Sequence, residues 1–367
     1  MHSTSIKIGF NGRPFISNKI RGISRYTLNL VKEIHKQRPD IEIHFFCSEI
    51  MNREIKEELQ FAFFHEYSIR PKILWELWHL PKLLREFNIS LYHSTNNVGA
   101  PLTSNIPVVV TIHDDITHIH RKKFSLKSLW GFLNYKIEFF LLKNADFYLT
   151  VSQYSKNQIT KIMSLPKEKI KVIYNGVNLP SLHLEEKKQD YYLYVGGLES
   201  RKNVGLLLAA LESASKTLNK EIKLICISDI NSGSPELKDR LRDSHLKIEI
   251  LKDISDFDLS RFYLNSKMVI IPSIEEGFGL PVAEAMSLKI PLAVSRIEIF
   301  EEVTQKSCFM FDKDDVDELA QLITNLESNP ARSRTHVEEA FKIAQKYTWE
   351  TTAKETILTY MKLLKRS

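Results

Sequence analysis

The stretch Ser273-Ile274-Glu275-Glu276-Gly277-Phe278-Gly279-Leu280-Pro281-Val282-Ala283-Glu284-Ala285-Met286 follows directly on Met268-Val269-Ile270-Ile271-Pro272. The earlier run is short and apolar, as a buried strand is. Two acidic residues and two glycines come next. Pro281 suits a first helical position, because its missing N–H would be unpaired there anyway. A strand ending in a glycine loop that re-enters a helix presents free backbone N–H groups, which makes a ready anion site. Glu276 lies in the loop and Glu284 about one turn into the helix, with seven residues between them. An anion site that also holds two carboxylates suits a ligand carrying phosphate and many hydroxyls, such as a nucleotide-sugar. Taken alone, such a loop is also compatible with an ordinary turn and solvated glutamates.

The chain has 367 residues, 43% hydrophobic and 26% charged, which predicts two globular domains. Cys47, Cys226 and Cys308 are widely spaced in apolar stretches and read as buried thiols in a reducing compartment. Ile6-Lys7-Ile8-Gly9-Phe10 already reads as a strand rather than a leader, and no apolar run approaches 18 residues, so a cytoplasmic protein is expected. The net charge of +6 is unevenly spread. Residues 1–178 hold 25 Lys+Arg against 15 Asp+Glu, whereas the remainder holds 26 against 30. The first half is therefore expected to meet something anionic. No nucleic-acid-binding signature is present, so nucleic acid is not the expected partner.

Short apolar runs alternate with helical patterns throughout, as in βαβ units. In the first half, strands are expected at Ile6–Phe10, Ile41–Cys47, Leu91–Ser94, Val108–Ile112, Phe147–Val151 and Lys171–Tyr174, with a helix over Ser24–Gln37. Gly22 precedes that helix and would let a phosphate approach the backbone closely. His113-Asp114-Asp115 follow Val108–Ile112, and ligands collect beyond the carboxyl ends of such strands. His118 and His120 raise a metal alternative, but the spacing fits no standard site. Residues 121–143 interleave Arg121, Lys122, Lys123, Lys127, Lys136 and Lys143 with aromatic and aliphatic residues. They suit either a helix lying on an anionic bilayer or a core-facing helix with a basic solvated side.

A polar linker is expected over 178–190, then a second series with strands at Tyr191–Val195, Leu224–Ile227, Ile248–Leu251, Met268–Ile271, Leu292–Val294 and Phe309–Phe311. The first of these ends in Gly196-Gly197-Leu198-Glu199-Ser200-Arg201-Lys202-Asn203, where Arg201 and Lys202 can clamp a diphosphate. From Asp314 to the end the chain is expected to be helical.

The pattern Glu276-Gly277-Phe278-Gly279-Leu280-Pro281-Val282-Ala283-Glu284-Ala285-Met286 resembles the signature of retaining family-4 glycosyltransferases, two-domain enzymes of the GT-B fold. The elements at 113–114 and 196–203 resemble that family's His-Asp element and phosphate clamp. Gly22-Ile23-Ser24-Arg25-Tyr26 is similar to bacterial mannosyltransferases of surface-polysaccharide assembly, and Tyr347-Thr348-Trp349-Glu350 resembles the start of the final helix. The resemblance implies an α/β protein with two Rossmann-like domains facing each other across a cleft, residues 1–178 on the acceptor side and 191–346 binding the donor. Residues 347–367 would pack back on the first domain.

The implied activity is hexose transfer from a nucleoside diphosphate sugar to a glycan or lipid-diphosphate-linked acceptor, with retention and without a metal or other cofactor. GDP-mannose is the first guess for the donor, on the wording at Gly22–Tyr26 alone. The resemblance assigns Arg201, Lys202 and the loop Gly277, Phe278, Gly279, Leu280 to the diphosphate, with Gly22 facing it. Glu276 and His113 would hold the sugar, and Glu284 the ribose. The rival readings are a sugar-phosphate isomerase or phosphorylase of the same fold, and a non-catalytic nucleotide-sugar-binding protein. A lipid-linked acceptor and the basic stretch would place the protein at the inner face of a membrane.

Overall fold

The computed structural model describes residues 5–17, 22–69, 74–102, 105–113, 137, 139–177 and 189–365. Asp114, Asp115, His118, His120, residues 121–136 of the basic stretch and residues 178–188 of the expected linker lie outside them. The chain forms two compact units: Met1–Gly176 with Trp349–Ser367, and Val177–Thr348.

In the first unit seven parallel strands form one sheet: β1 (Ile6–Asn11), β2 (Ile41–Cys47), β3 (Phe63–Glu66), β4 (Leu91–Ser94), β5 (Val108–Ile112), β6 (Phe147–Thr150) and β7 (Ile170–Val172). Their order is β3-β2-β1-β4-β5-β6-β7. Strand β5, Val-Val-Val-Thr-Ile, is buried along its whole length because helices cover both faces of a parallel sheet. On one face, Leu30, Val31 and Ile34 of helix Ile23–Gln37 share a core with Ile8, Ile43 and Phe45. On the other, Leu80, Leu84, Ile159 and Met163 pack against Val108, Val110 and Tyr148. Strand β3 has no counterpart among the expected strands. It is four residues long and lies at the sheet edge, where pairing of Phe64 with Phe45 and His65 with Phe46 makes it a strand. That pairing is long-range and leaves no local signature.

The second unit has six parallel strands: β8 (Tyr192–Val195), β9 (Lys223–Ile227), β10 (Lys247–Leu251), β11 (Met268–Ile271), β12 (Leu292–Ser295) and β13 (Phe309–Phe311), ordered β10-β9-β8-β11-β12-β13. The order reverses at β1/β4 in one sheet and at β8/β11 in the other. The crevice beyond the carboxyl ends of the strands at such a reversal is where open α/β sheets hold ligands.

The C-terminal part is helical, as expected, and divided into separate helices. Helix Val316–Ser328 stops at Asn329-Pro330, where proline cannot continue the hydrogen-bond ladder, and a short 3₁₀ turn leads into helix Arg334–Ala344. The last helix, Trp349–Leu364, belongs to the first unit. Trp349, Ala353, Ile357, Tyr360 and Leu363 recur at helical spacing and join the core formed by helix Ile23–Gln37. Gly176 is required beside its start, since a Cβ there would lie 2.3 Å from the Trp349 nitrogen. The three cysteines are buried, and burial pushes their thiols up, Cys47 to about 11 and the other two to about 12.

Candidate active site

In the second unit the loops after β8 and β11 meet at the reversal point. Residues 196–199 lead into a 3₁₀ turn, Ser200–Lys202, and Asn203 at φ 52° redirects the chain into helix Val204–Leu218. Asparagine tolerates that left-handed backbone, and its Nδ2 donates to the Lys313 carbonyl at 2.8 Å. The Ile274 N–H donates to the Arg201 carbonyl at 2.8 Å, tying the two loops together.

The side chains converge across this tie. Glu276 Oε1 accepts from Lys202 Nζ at 2.6 Å and from Ser273 Oγ at 2.9 Å, while Oε2 lies 3.5 Å from the Arg201 guanidinium. Burial pushes the Glu276 carboxyl up, but the charges of Lys202 and Arg201 and the bonds from Lys202 and Ser273 outweigh it, holding it below the usual carboxylate range. The two cations that the family resemblance would assign to the diphosphate are therefore joined to the carboxylate that it would assign to the sugar.

Beyond Glu276, Phe278 is buried edge-on against Tyr347 at 5.3 Å. Gly279 takes φ 83°, and a Cβ there would lie 2.7 Å from the Phe300 ring. Helix Leu280–Ser287 then begins one residue before the proline, with Gly279 at its N-cap and no side chain capping it. An uncapped helix start with a glycine before it favours an anion. Glu284 is buried, and its Oε2 accepts from the Tyr263 hydroxyl at 2.8 Å. Tyr263, on helix Asp256–Asn265, is not among the residues that the sequence motifs single out. The available signal was a tyrosine on an apolar helix face, whose hydroxyl needs a partner when buried. Ser273 stood inside the opening motif without a role.

In the first unit His113 follows β5. Its main-chain N–H donates to Asn97 Oδ1 at 2.9 Å, and its Nε2 lies 3.0 Å from the Thr95 carbonyl. A carbonyl only accepts, so Nε2 carries the proton in this bond and Nδ1 is left as an acceptor. Burial pushes the imidazole down to about 4, so it is neutral at pH 7. Tyr26 packs edge-on against it at 4.6 Å, and Trp349 against Tyr26 at 5.7 Å. Gly22 has φ 51°, which favours glycine, and nothing lies within 4 Å of the Cβ it lacks. Among the described residues no three His, Cys, Asp or Glu side chains converge on a metal-binding position.

A protein with two such parallel-sheet units, each with ligand-type loops at its reversal point, has the architecture of a nucleotide-sugar enzyme of the GT-B class. The family model "Glycosyltransferase Family 4" matches residues 20–180, and "Glycosyl transferases group 1" matches 180–343. O-antigen chain mannosyltransferase RfbU of Salmonella typhimurium is 29% identical over 71% of this chain and 72% of its own. O-antigen chain mannosyltransferase B of Escherichia coli is 26% identical over 97% of this chain and 99% of its own. Among solved structures, Anabaena HepE in complex with UDP and glucose superposes with a TM-score of 0.73, at 18% identity, over 98% of this chain and all of that one. The chain belongs to the family-4 glycosyltransferases and has the GT-B fold.

Proposed function

We propose that this glycosyltransferase moves a hexose, mannose as first choice, from a nucleoside diphosphate sugar to a glycan or lipid-linked acceptor in surface-polysaccharide assembly. The observation that carries the reading is the convergence of Arg201 and Lys202 on Glu276 beside the uncapped helix at Gly279. The mannosyl assignment draws on the O-antigen mannosyltransferases that the chain resembles.

The transfer proceeds with retention, by departure of the diphosphate from the face on which the acceptor attacks. A diphosphate oxygen takes the acceptor proton, so the chain's task is positioning and charge stabilisation. Arg201, Lys202 and the N–H groups of the Gly277–Leu280 loop stabilise the leaving diphosphate. Glu276 holds the sugar hydroxyls and the positive charge that develops on the ring. Glu284 holds the ribose. Two cations and a helix start already neutralise the diphosphate, so no metal is needed in this scheme. The basic balance of residues 1–178 supports a peripheral contact with an anionic membrane carrying the acceptor.

Thermal-shift screening against GDP-, UDP- and dTDP-sugars tests the reading, because a ligand that binds only the folded state raises the melting temperature by mass action. GDP-mannose is expected to give the largest shift. No shift with any nucleoside diphosphate sugar overturns the proposal. Turnover that ignores added acceptor, or that requires free phosphate, would instead mark an isomerase or a phosphorylase.

A further inference from the structure

Glu276 and the two cations leave one positive charge over, and the cluster is buried: the Lys202 side chain is 14% exposed and the carboxylate 9%. A diphosphate brings at least two negative charges to the same cations. Were Glu276 to keep Lys202, the incoming anion would meet Arg201 alone and lie beside a desolvated carboxylate. Like charges at that spacing repel strongly in a low-dielectric site.

We propose a partner exchange: the diphosphate takes Lys202 from Glu276, and Ser273 acts as a positioning residue that keeps the freed carboxylate in place for the sugar. This rests on the reading above that the site takes a nucleoside diphosphate sugar. Ser273 is suited to the task because it is neutral, so its bond to Glu276 Oε1 survives the arrival of an anion. It is wholly buried, and its own carbonyl accepts from the Ser295 hydroxyl, which fixes the backbone from which the side chain projects. The Glu276 carboxyl lies below its ordinary range because of the very pairs that the diphosphate must displace.

Two consequences follow. Glu276 competes with a nucleoside diphosphate that lacks a sugar, and its return to Lys202 after transfer helps to expel that product. With the intact donor the competition is offset by the carboxylate's contact to the sugar.

Calorimetry with GDP and UDP on the wild type and Glu276→Gln, together with donor turnover for both proteins, Ser273→Ala and the double variant, tests the exchange. Whichever diphosphate binds the wild type should bind Glu276→Gln about tenfold more tightly, although glutamine removes a charge-assisted bond from the site. Ser273→Ala should lower kcat in the wild type and add nothing further in the Glu276→Gln background, as residues of one network behave. Equal or weaker binding by Glu276→Gln overturns the exchange while leaving the function standing. Additive losses of kcat overturn the role of Ser273. If neither GDP nor UDP binds the wild type, the nucleotide reading itself fails, and the exchange with it.

Discussion

The Tyr263 hydroxyl donates to Oε2 of Glu284 across 2.8 Å, and both side chains are buried. A hydrogen bond to a charged group contributes about 1.5–3 kcal/mol. Tyr263→Phe should therefore loosen the carboxylate assigned to the ribose. Its donor KM should rise severalfold at nearly unchanged kcat, and Glu284→Ala should do the same more strongly. A fall in kcat at constant KM would mean that Glu284 serves the reacting end of the donor.

Lys202 and Glu276 form a buried pair, so Lys202→Met strands a carboxylate. Breaking such a pair costs about 3–5 kcal/mol, toward the lower end here because Arg201 remains 3.5 Å from Oε2. In the wild type the Glu276 carboxyl titrates below its ordinary value, so its contribution is present above that value and lost only as pH falls through the depressed one. In the variant, loss of Lys202 raises it relative to the wild type, so the deficit against wild type should narrow as pH falls into the carboxylate range. A constant gap in melting temperature would rule this out. Arg201→Ala should cost about 2–4 kcal/mol of transition-state stabilisation, seen as a lower kcat.

Two buried imidazoles in the first unit set a pH limit of their own. His93 lies 2.5 Å from the Tyr360 hydroxyl and 2.7 Å from Thr111 Oγ1, and burial pushes it down to about 3; His113 is pushed down to about 4. The unfolded chain binds both protons near pH 6.5, which the folded chain refuses. Stability is then full above about pH 6.5 and falls below it by about 1.4 kcal/mol per pH unit for each histidine, until the folded values are reached. Urea unfolding at pH 7, 6 and 5 measures this slope. Equal midpoints would mean that neither imidazole is shielded from solvent protons.

Gly279 holds φ 83° with Phe300 close by. Gly279→Ala adds a left-handed strain of about 1–2 kcal/mol and a clash with the ring. The melting temperature should drop, and donor binding should weaken beyond what the lost stability explains, because the N–H groups after the loop are re-aimed. Unchanged donor affinity in the folded variant would remove the loop from the binding site.

Co-sedimentation with anionic vesicles tests the membrane contact. Binding should fall as salt rises, since surface attraction is screened over a Debye length of about 10 Å at 0.1 M. Equal binding to neutral vesicles, or none to either, would assign the basic residues of the first half another use.

Apolar runs such as Val108–Ile112 and Met268–Ile271, the glycines at 277 and 279 and the proline at 281 act over a few residues. They therefore determined twelve of the thirteen strands among the described residues, the two-unit α/β class and the loops that carry the candidate site. Strand β3 lay beyond their reach because it exists only through its pairing with β2. The break at Asn329-Pro330 is local, since proline ends the helix there, whereas the return of Trp349–Leu364 to the first unit depends on packing against a helix more than 300 residues earlier. The site divides the same way. Residue types were set by local motifs, but which side chains touch was set by strand order. Lys202 and Glu276 are 74 residues apart, and Tyr263 and Glu284 are 21 apart on different helices. Only the adjacency of β8 and β11 brings the first pair together, and adjacency in a sheet follows from the summed packing of the whole unit rather than from any stretch of its chain.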